Sequence, residues 1–460
     1  MARIDSNPLT VPGEATSSGD APEAMVDLTA AAAGVAEVPP ELLAQSIGEY
    51  LRGWWQRVRG GESGVLPVVL GIVVIGIAFQ IANHSFLGAQ NLVLLFEQSS
   101  IYMLLAMAEI FALLLGEIDL SVGLVMALGA VVVAELIQPS GAANCALCPH
   151  GLAWPAWLAI TVTLLICAGV GAIQGTLVAR FKMPSFIVTL GGLLILEGVA
   201  IIVLNGTLVS IGNSQYANQT QIYDIFNGRF SPLVSWILLA VVLLTAGLSW
   251  WFRDEGRRHR GLVAPPRFFT AVKIGSVWVA GIVVVAICNV NRAHAGVIQG
   301  LPYIIPIVLG VLFLWTMLLQ RTRFGRYVHA IGGNPEAARR AGVSLPSIRT
   351  WGFVLAALTA GIAGILFASW QVNLTTNIIK SANTYVLLAV AAAVIGGTSL
   401  FGGRGKTLHG VLGGLIIGGI YNGLYLLQVT TEWDDILIAA VLLAAATIDV
   451  LSRGGTRSRA

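Results

Sequence analysis

Charge is the first thing this chain is short of. Only 11% of its 460 residues are Asp, Glu, Lys or Arg, where a soluble domain carries about a quarter, and 56% are hydrophobic. Mean hydropathy is +0.82. These figures exclude an ordinary soluble fold and leave a polytopic membrane protein. The net charge of +3 is too small for a nucleic-acid binder, and Lys and Arg are spread over separate short segments instead of forming one basic domain. Histidine and cysteine are scarce as well. The six histidines, His84, His150, His259, His294, His329 and His409, fall mainly near loops or span ends, with no HExxH pair and no Ser-His-Asp order, so no catalytic residue, cofactor or metal site is expected. Of the four cysteines, Cys145 and Cys148 lie close together in NCALCPH. They read as two loop thiols, as a local disulfide if the loop faces an oxidising compartment, or as a zinc site with His150 that lacks an evident fourth ligand. Cys167 and Cys288 sit in apolar runs as small core residues.

Long apolar runs are what the chain has in quantity. Runs able to cross about 30 Å of hydrocarbon occur near 65–82, 97–116, 120–138, 156–179, 185–204, 233–252, 272–289, 302–320, 351–370, 384–398, 408–427 and 434–451. The fold class expected is an all-α polytopic membrane protein of about twelve transmembrane helices. The second, third and tenth runs are interrupted by polar or Gly-rich pieces, and one of them is a candidate re-entrant segment. Orientation follows from the cations: with a cytoplasmic N-terminus, only Arg229, Arg292 and Lys380 of the 26 Lys and Arg fall outside, and 23 fall inside. That asymmetry places both termini in the cytoplasm. Residues 1–40 mix Pro, Gly, Ser, Ala and acids without periodicity and read as a disordered tail, not a signal peptide. Residues 41–60 set Leu43, Ile47, Tyr50, Trp54 and Val58 on one helical face near Arg52, Arg57 and Arg59, either as a juxtamembrane helix in the interface or as an extension of the first span. Residues 452–460 form a second cytoplasmic tail.

One stretch imitates a nucleotide-binding loop. GGTSLFGGRGKT, residues 396–407, ends like a P-loop, but Leu400 stands where a phosphate-cradling glycine is required, and the run before it is a membrane span instead of a strand. ATP binding by this chain is not expected. Gly410, Gly414 and Gly418 recur every four residues just downstream, which lets neighbouring helix backbones approach closely. The stretch therefore reads as a tight turn feeding a closely packed helix, with Arg404 and Lys406 at the headgroup level.

Acidic groups at membrane depth are costly and usually face a partner or a wet cavity. Glu117, Asp119 and Ser121 interrupt the apolar stretch LLLGEIDLSVGLVM, either as part of a translocation path or as a turn in which Asp119 caps the next helix through the N–H groups of Ser121 and Val122. Glu109 and Glu197 lie well inside their runs, as path residues or as buried packing contacts. The long loop 321–350 contains Asn334 as an N-cap, Pro335 at the first helical position, Glu336 against the dipole and Gly342 as a stop. About two turns of helix follow. A helix that short needs packing to persist, against a partner subunit or against its own bundle.

GEIDLSVG, FKMPSFIVTLGG, FGRYVHAIGGNPEAARRAGV, IGGTSLFGG and YNGL stand in the order found in the membrane permeases of ribose- and xylose-type ABC importers, and from about residue 65 to 451 the chain resembles that family. The insert RDEGRRHRGLVAPPRFFTAVK and the span after it look most like the xylose branch. The resemblance implies a non-catalytic, multi-pass subunit of a prokaryotic plasma (inner) membrane. It implies a homodimeric pathway, sugar delivered by an extracytoplasmic binding protein, and two ATP-binding cassette ATPase subunits docked on short cytoplasmic helices. In this chain the docking segment matches Asn334, Pro335, Glu336, Ala337, Ala338 and Arg339, and YNGL adds Asn422 to the path candidates. The chain departs from the family at Val386, Leu387, Leu388, Ala389, Val390 and Ala391, where the pattern is Glu-Leu-x-Ala-Ile-Ala. Trp370, Gln371, Asn373, Asn383 and Tyr385 cluster nearby as sugar contacts or, for the two aromatics, as interfacial anchors. A proton-coupled carrier using Glu109, Glu117, Asp119 or Glu197 is the competing reading.

Overall fold

A computed structural model describes residues 66–139, 151–212, 216–261, 265–292 and 296–429, with positions 433, 436, 439 and 440 besides. The 1–40 tail, the 41–60 helix, the Cys145–Cys148 loop, most of the 434–451 run and the 452–460 tail lie outside the described residues.

In chain order the helices are α1 Leu66–Ala82, α2 Ala89–Leu114, α3 Val122–Leu136, α4 Ala156–Ala179, α5 Ser185–Leu204, α6 Ala217–Asn227, α7 Pro232–His259, α8 Arg267–Asn289, α9 Ile304–Arg321, α10 Arg323–Gly333, α11 Pro335–Arg340, α12 Leu345–Gln371, α13 Thr376–Ile395 and α14 Thr407–Leu426. Two short strands, β1 Val209–Ser210 and β2 Asn373–Leu374, pair antiparallel with Val209 opposite Leu374. Among the described residues nine helices are long and apolar enough to cross a membrane, and α1 and α3 are shorter apolar helices.

The helices sort by how they meet their surroundings. α2, α3, α12 and α14 are buried over most of their length, as expected of helices apolar on every side. α3 has 15 residues, roughly 22 Å of rise, which is less than the hydrocarbon core. A short helix is tolerated there because protein surrounds it. α1, α7 and α8 instead turn bare apolar surface outward, for example Ile81, Leu233 and Val279.

The second run begins earlier than its polar residues suggest, at Ala89, because those residues find partners. Asn91 Nδ2 donates to the Phe86 carbonyl at 2.9 Å and to Asn422 Oδ1 at 2.8 Å. Satisfied in this way, a polar side chain does not end a buried helix.

The glycine stripe of α14 is a close-contact surface. A Cβ on Gly414 would lie 2.5 Å from Met103 Cα, and one on Gly418 would lie 2.0 Å from Ser99 Oγ, both on α2. Only glycine lets the two backbones come this near. The false P-loop is the turn between α13 and α14: Gly403 N–H donates to the Leu114 carbonyl at 3.0 Å and its carbonyl accepts from His329 Nδ1 at 3.2 Å. Its glycines serve backbone packing against the end of α2 and against α10. α10 was not evident from the sequence; Thr322 opens it, its hydroxyl accepting from Gly325 N–H.

Candidate functional site

α9 leads through α10 into α11, so α11 stands at one end of the bundle, together with the Leu114 end of α2 and the turn before α14. Asn334 Oδ1 accepts from Ala337 N–H at 3.0 Å and Pro335 occupies the first helical position. Glu336 receives Arg339 at 2.8 Å and Arg340 at 3.3 Å. The Arg339 and then the Arg340 guanidinium hydrogen bonds hold the Glu336 carboxyl below the usual carboxylate range. Ala338 is buried, and its carbonyl accepts from Val343 N–H at 3.1 Å. Asn334, Pro335, Glu336, Ala337 and Arg339 all face outward. Ala338 fastens the short helix to the bundle, and its charged side chains lie exposed.

Beneath this end lies a buried polar group that joins α2, α3 and α4. Glu109 and Ser121 are fully buried and Asp119 is 2% exposed. Asp119 Oδ1 accepts from Ser121 N–H at 2.8 Å and from Ser121 Oγ at 2.6 Å, and Glu109 Oε1 accepts from Asp119 N–H at 3.4 Å. The turn reading of Asp119 thus holds at Ser121 and does not extend to Val122. Gln174 Oε1 lies 3.1 Å from Ser121 Oγ. Glu117 points elsewhere, with Oε1 3.3 Å from Arg349 Nε near the start of α12. The interrupted stretch is therefore split by the fold, with Asp119 and Ser121 turned in and Glu117 turned to an ion pair.

The remaining candidates are separate. Glu197, half-buried on α5, accepts from Asn383 Nδ2 of α13 at 2.9 Å. Asn422 is buried on α14, accepting from Asn91 and donating to Gln98 Oε1 at 3.3 Å. The six docking residues come together, as do Glu109, Asp119 and Ser121, whereas Glu117, Glu197 and Asn422 each bind different partners. Sequence reasoning missed Gln174, Asn91, Gln98 and Arg349. The available signal was a polar residue alone in an apolar run, which finds Gln174 but does not say what it faces.

Trp370 and Tyr385 belong to an aromatic series that runs through the bundle. Phe226 stacks on Trp370 at 6.1 Å, Phe367 meets both Trp370 and Tyr385 edge-on, and Tyr102 stacks on Tyr385 at 5.5 Å and on Tyr421 at 5.6 Å. Val386, at the departure from the family pattern, is buried with Cγ2 2.8 Å from where a Gly123 Cβ would sit. The outward face of α13 carries Asn377, Lys380, Ser381, Thr384 and Leu387.

A family model described as "Branched-chain amino acid transport system / permease component" matches residues 91–255 and 304–446. The stretch it skips contains α8 and most of the basic insert. The chain is 34% identical over 399 residues to the xylose transport system permease protein XylH of Escherichia coli K12, covering 85% of this chain and 94% of that one. It is 31% identical to XylH of Haemophilus influenzae, covering 85% and 96%, and 29% identical to the ribose import permease protein RbsC of Escherichia coli K12, covering 80% and 88%. No solved structure matches. With the helical bundle, the buried polar turn and a family match on both sides of the insert, this chain belongs to the family of transport-system permease components.

Proposed function

We propose that this chain is the membrane-embedded permease subunit of an ATP-driven monosaccharide importer, with a pentose such as xylose as the cargo. The observation that carries the reading is its likeness to the xylose permease proteins over 85% of its length, joined to a capped, outward-facing α11 anchored through Ala338. In this reading the chain crosses a prokaryotic plasma (inner) membrane twelve times with both termini in the cytoplasm. An ATPase subunit grips Asn334, Pro335, Glu336, Ala337, Ala338 and Arg339, and the ATP is hydrolysed on that partner. A separate binding protein delivers sugar on the other side.

Mechanically, α11 continues α10, and α10 lies against the Leu114 end of α2 through the Gly403 turn. Closure of paired ATPase subunits would displace α11 and, through it, α2 and the Asp119–Ser121 turn, shifting the bundle between two packed arrangements. In this reading the pathway is shared between two copies of the chain.

Reconstitution tests this. Proteoliposomes with the chain, its copurifying ATPase and the binding protein should take up sugar only with ATP. Full-rate uptake by the chain alone would sink the reading. A second reading rests on the buried neighbours Glu109 and Asp119: a proton-coupled carrier, whose uptake would collapse with the proton gradient while ATP stayed abundant.

A further inference from the structure

A cavity of about 460 Å³ lies among α1, α2, α8, α9 and α14, with Gly76, Ile77, Phe96, Ile287, Cys288 and Gly419 in its walls. Apart from the Cys288 thiol, its lining side chains are hydrocarbon or glycine. Two features point to its occupant. An apolar void of this kind does not hold water, and leaving it empty forfeits the dispersion contacts of its whole lining. Its walls continue into the outward apolar surface of the bundle, where Val73, Ile77 and Val284 are 49%, 55% and 39% exposed, so hydrocarbon of the bilayer is what it meets.

The rim is charged. Phe96 is followed by Glu97, whose Oε1 is 3.2 Å from Arg229 Nη2, and the Cys288 carbonyl accepts from Arg292 Nη1, whose Nη2 reaches the Gly300 carbonyl at 3.2 Å. Two guanidinium groups face one carboxylate at the end of the bundle opposite α11, and the Arg229 side chain is 26% exposed. We propose that this slot is a resident phospholipid site, taking one acyl chain between α1 and α8 and the phosphate at Arg229. Part of its wall comes from α8, within the stretch the family model skips. α8 packs mainly on α7 and only lightly on α2, so the lipid fills the seam between α8 and the rest of the bundle.

The test uses the full chain, extracted in mild detergent and washed, with retained phospholipid counted by mass spectrometry of the intact protein. One phospholipid per chain is expected. A Cβ at Gly76 meets nothing within 4 Å, so Gly76→Phe should fill the slot, keep the fold and lower retained lipid about tenfold. Gly169→Phe on α4, where a Cβ also meets nothing within 4 Å, should retain it. If Gly76→Phe does not fold, Ile77→Trp serves in its place. No retained lipid in the wild-type chain, or equal retention in the slot-filled variant, overturns the proposal. So does loss of a dimer at unchanged lipid content, which would assign the slot to a second copy. Cross-linking of residues 434–451 into the slot would assign it to the chain itself, with the same consequence.

Discussion

Asn383 of α13 donates a 2.9 Å hydrogen bond to the Glu197 carboxylate of α5, tying together two spans whose outward faces both carry exposed residues. The bond needs an acceptor at 197 and no charge. Glu197→Gln should therefore leave folding and ATP-driven uptake within about twofold of wild type, since Gln keeps a carbonyl oxygen. Abolished uptake in that variant, measured in vesicles, would favour a proton relay through Glu197 instead.

Charge reversal at α11 separates folding from coupling. Glu336 is exposed and, among the described residues, bonds to Arg339 and Arg340 of its own helix, so Glu336→Arg should leave the thermal unfolding of the chain unchanged. Binding of the ATPase and uptake should both be lost. Pull-down and transport assays on the same preparation check the two halves together.

The pH dependence at this position has a defined sign. The Glu336 carboxyl sits below its ordinary value because Arg339 and Arg340 donate to its charged form. A depressed carboxylate keeps its favourable contribution above the unfolded value, about 4.3, and loses it as pH falls through the folded value. ATPase docking should accordingly be flat between about pH 8 and pH 5, as read by binding titrations.

Asn334 caps α11 by accepting from Ala337 N–H. Replacing the cap with alanine should weaken the local helix by about 1 kcal/mol. Six residues have little else to hold them, so faster amide exchange at Ala337 should appear while α2 and α12 keep their protection.

Glycines in this fold should divide by neighbourhood. Gly414→Val should destabilise by about 3 kcal/mol or more, because a Cβ there collides with the Met103 backbone at 2.5 Å. Gly169→Ala meets open space and should be neutral or stabilising by up to about 1 kcal/mol. Chemical or thermal unfolding in detergent compares them directly.

The ends of α4 and α5 match the apolar runs at 156–179 and 185–204, because a long apolar segment in a bilayer must satisfy its own backbone and helix is how it does so. The α11 cap was equally legible, since Asn334, Pro335 and Gly342 act on their immediate neighbours. The early start of α2 and the whole of α10 were not. Asn91 is tolerated because Asn422 reaches it from a helix 331 positions along the chain, and α10 rests on the Gly403 turn and Leu114; such partners leave no local mark.

Sequence by itself determined that this chain lives in a membrane as helices, where its short capped helix lies, and which glycines invite close packing, because hydropathy, capping and small side chains act over a few residues. Tertiary structure alone decided that Asp119 and Ser121 turn inward while Glu117 pairs with Arg349, that Glu197 meets Asn383, and that α8 leaves an apolar slot beside α1. Those outcomes depend on which helices become neighbours, a choice made by packing between residues far apart in the chain.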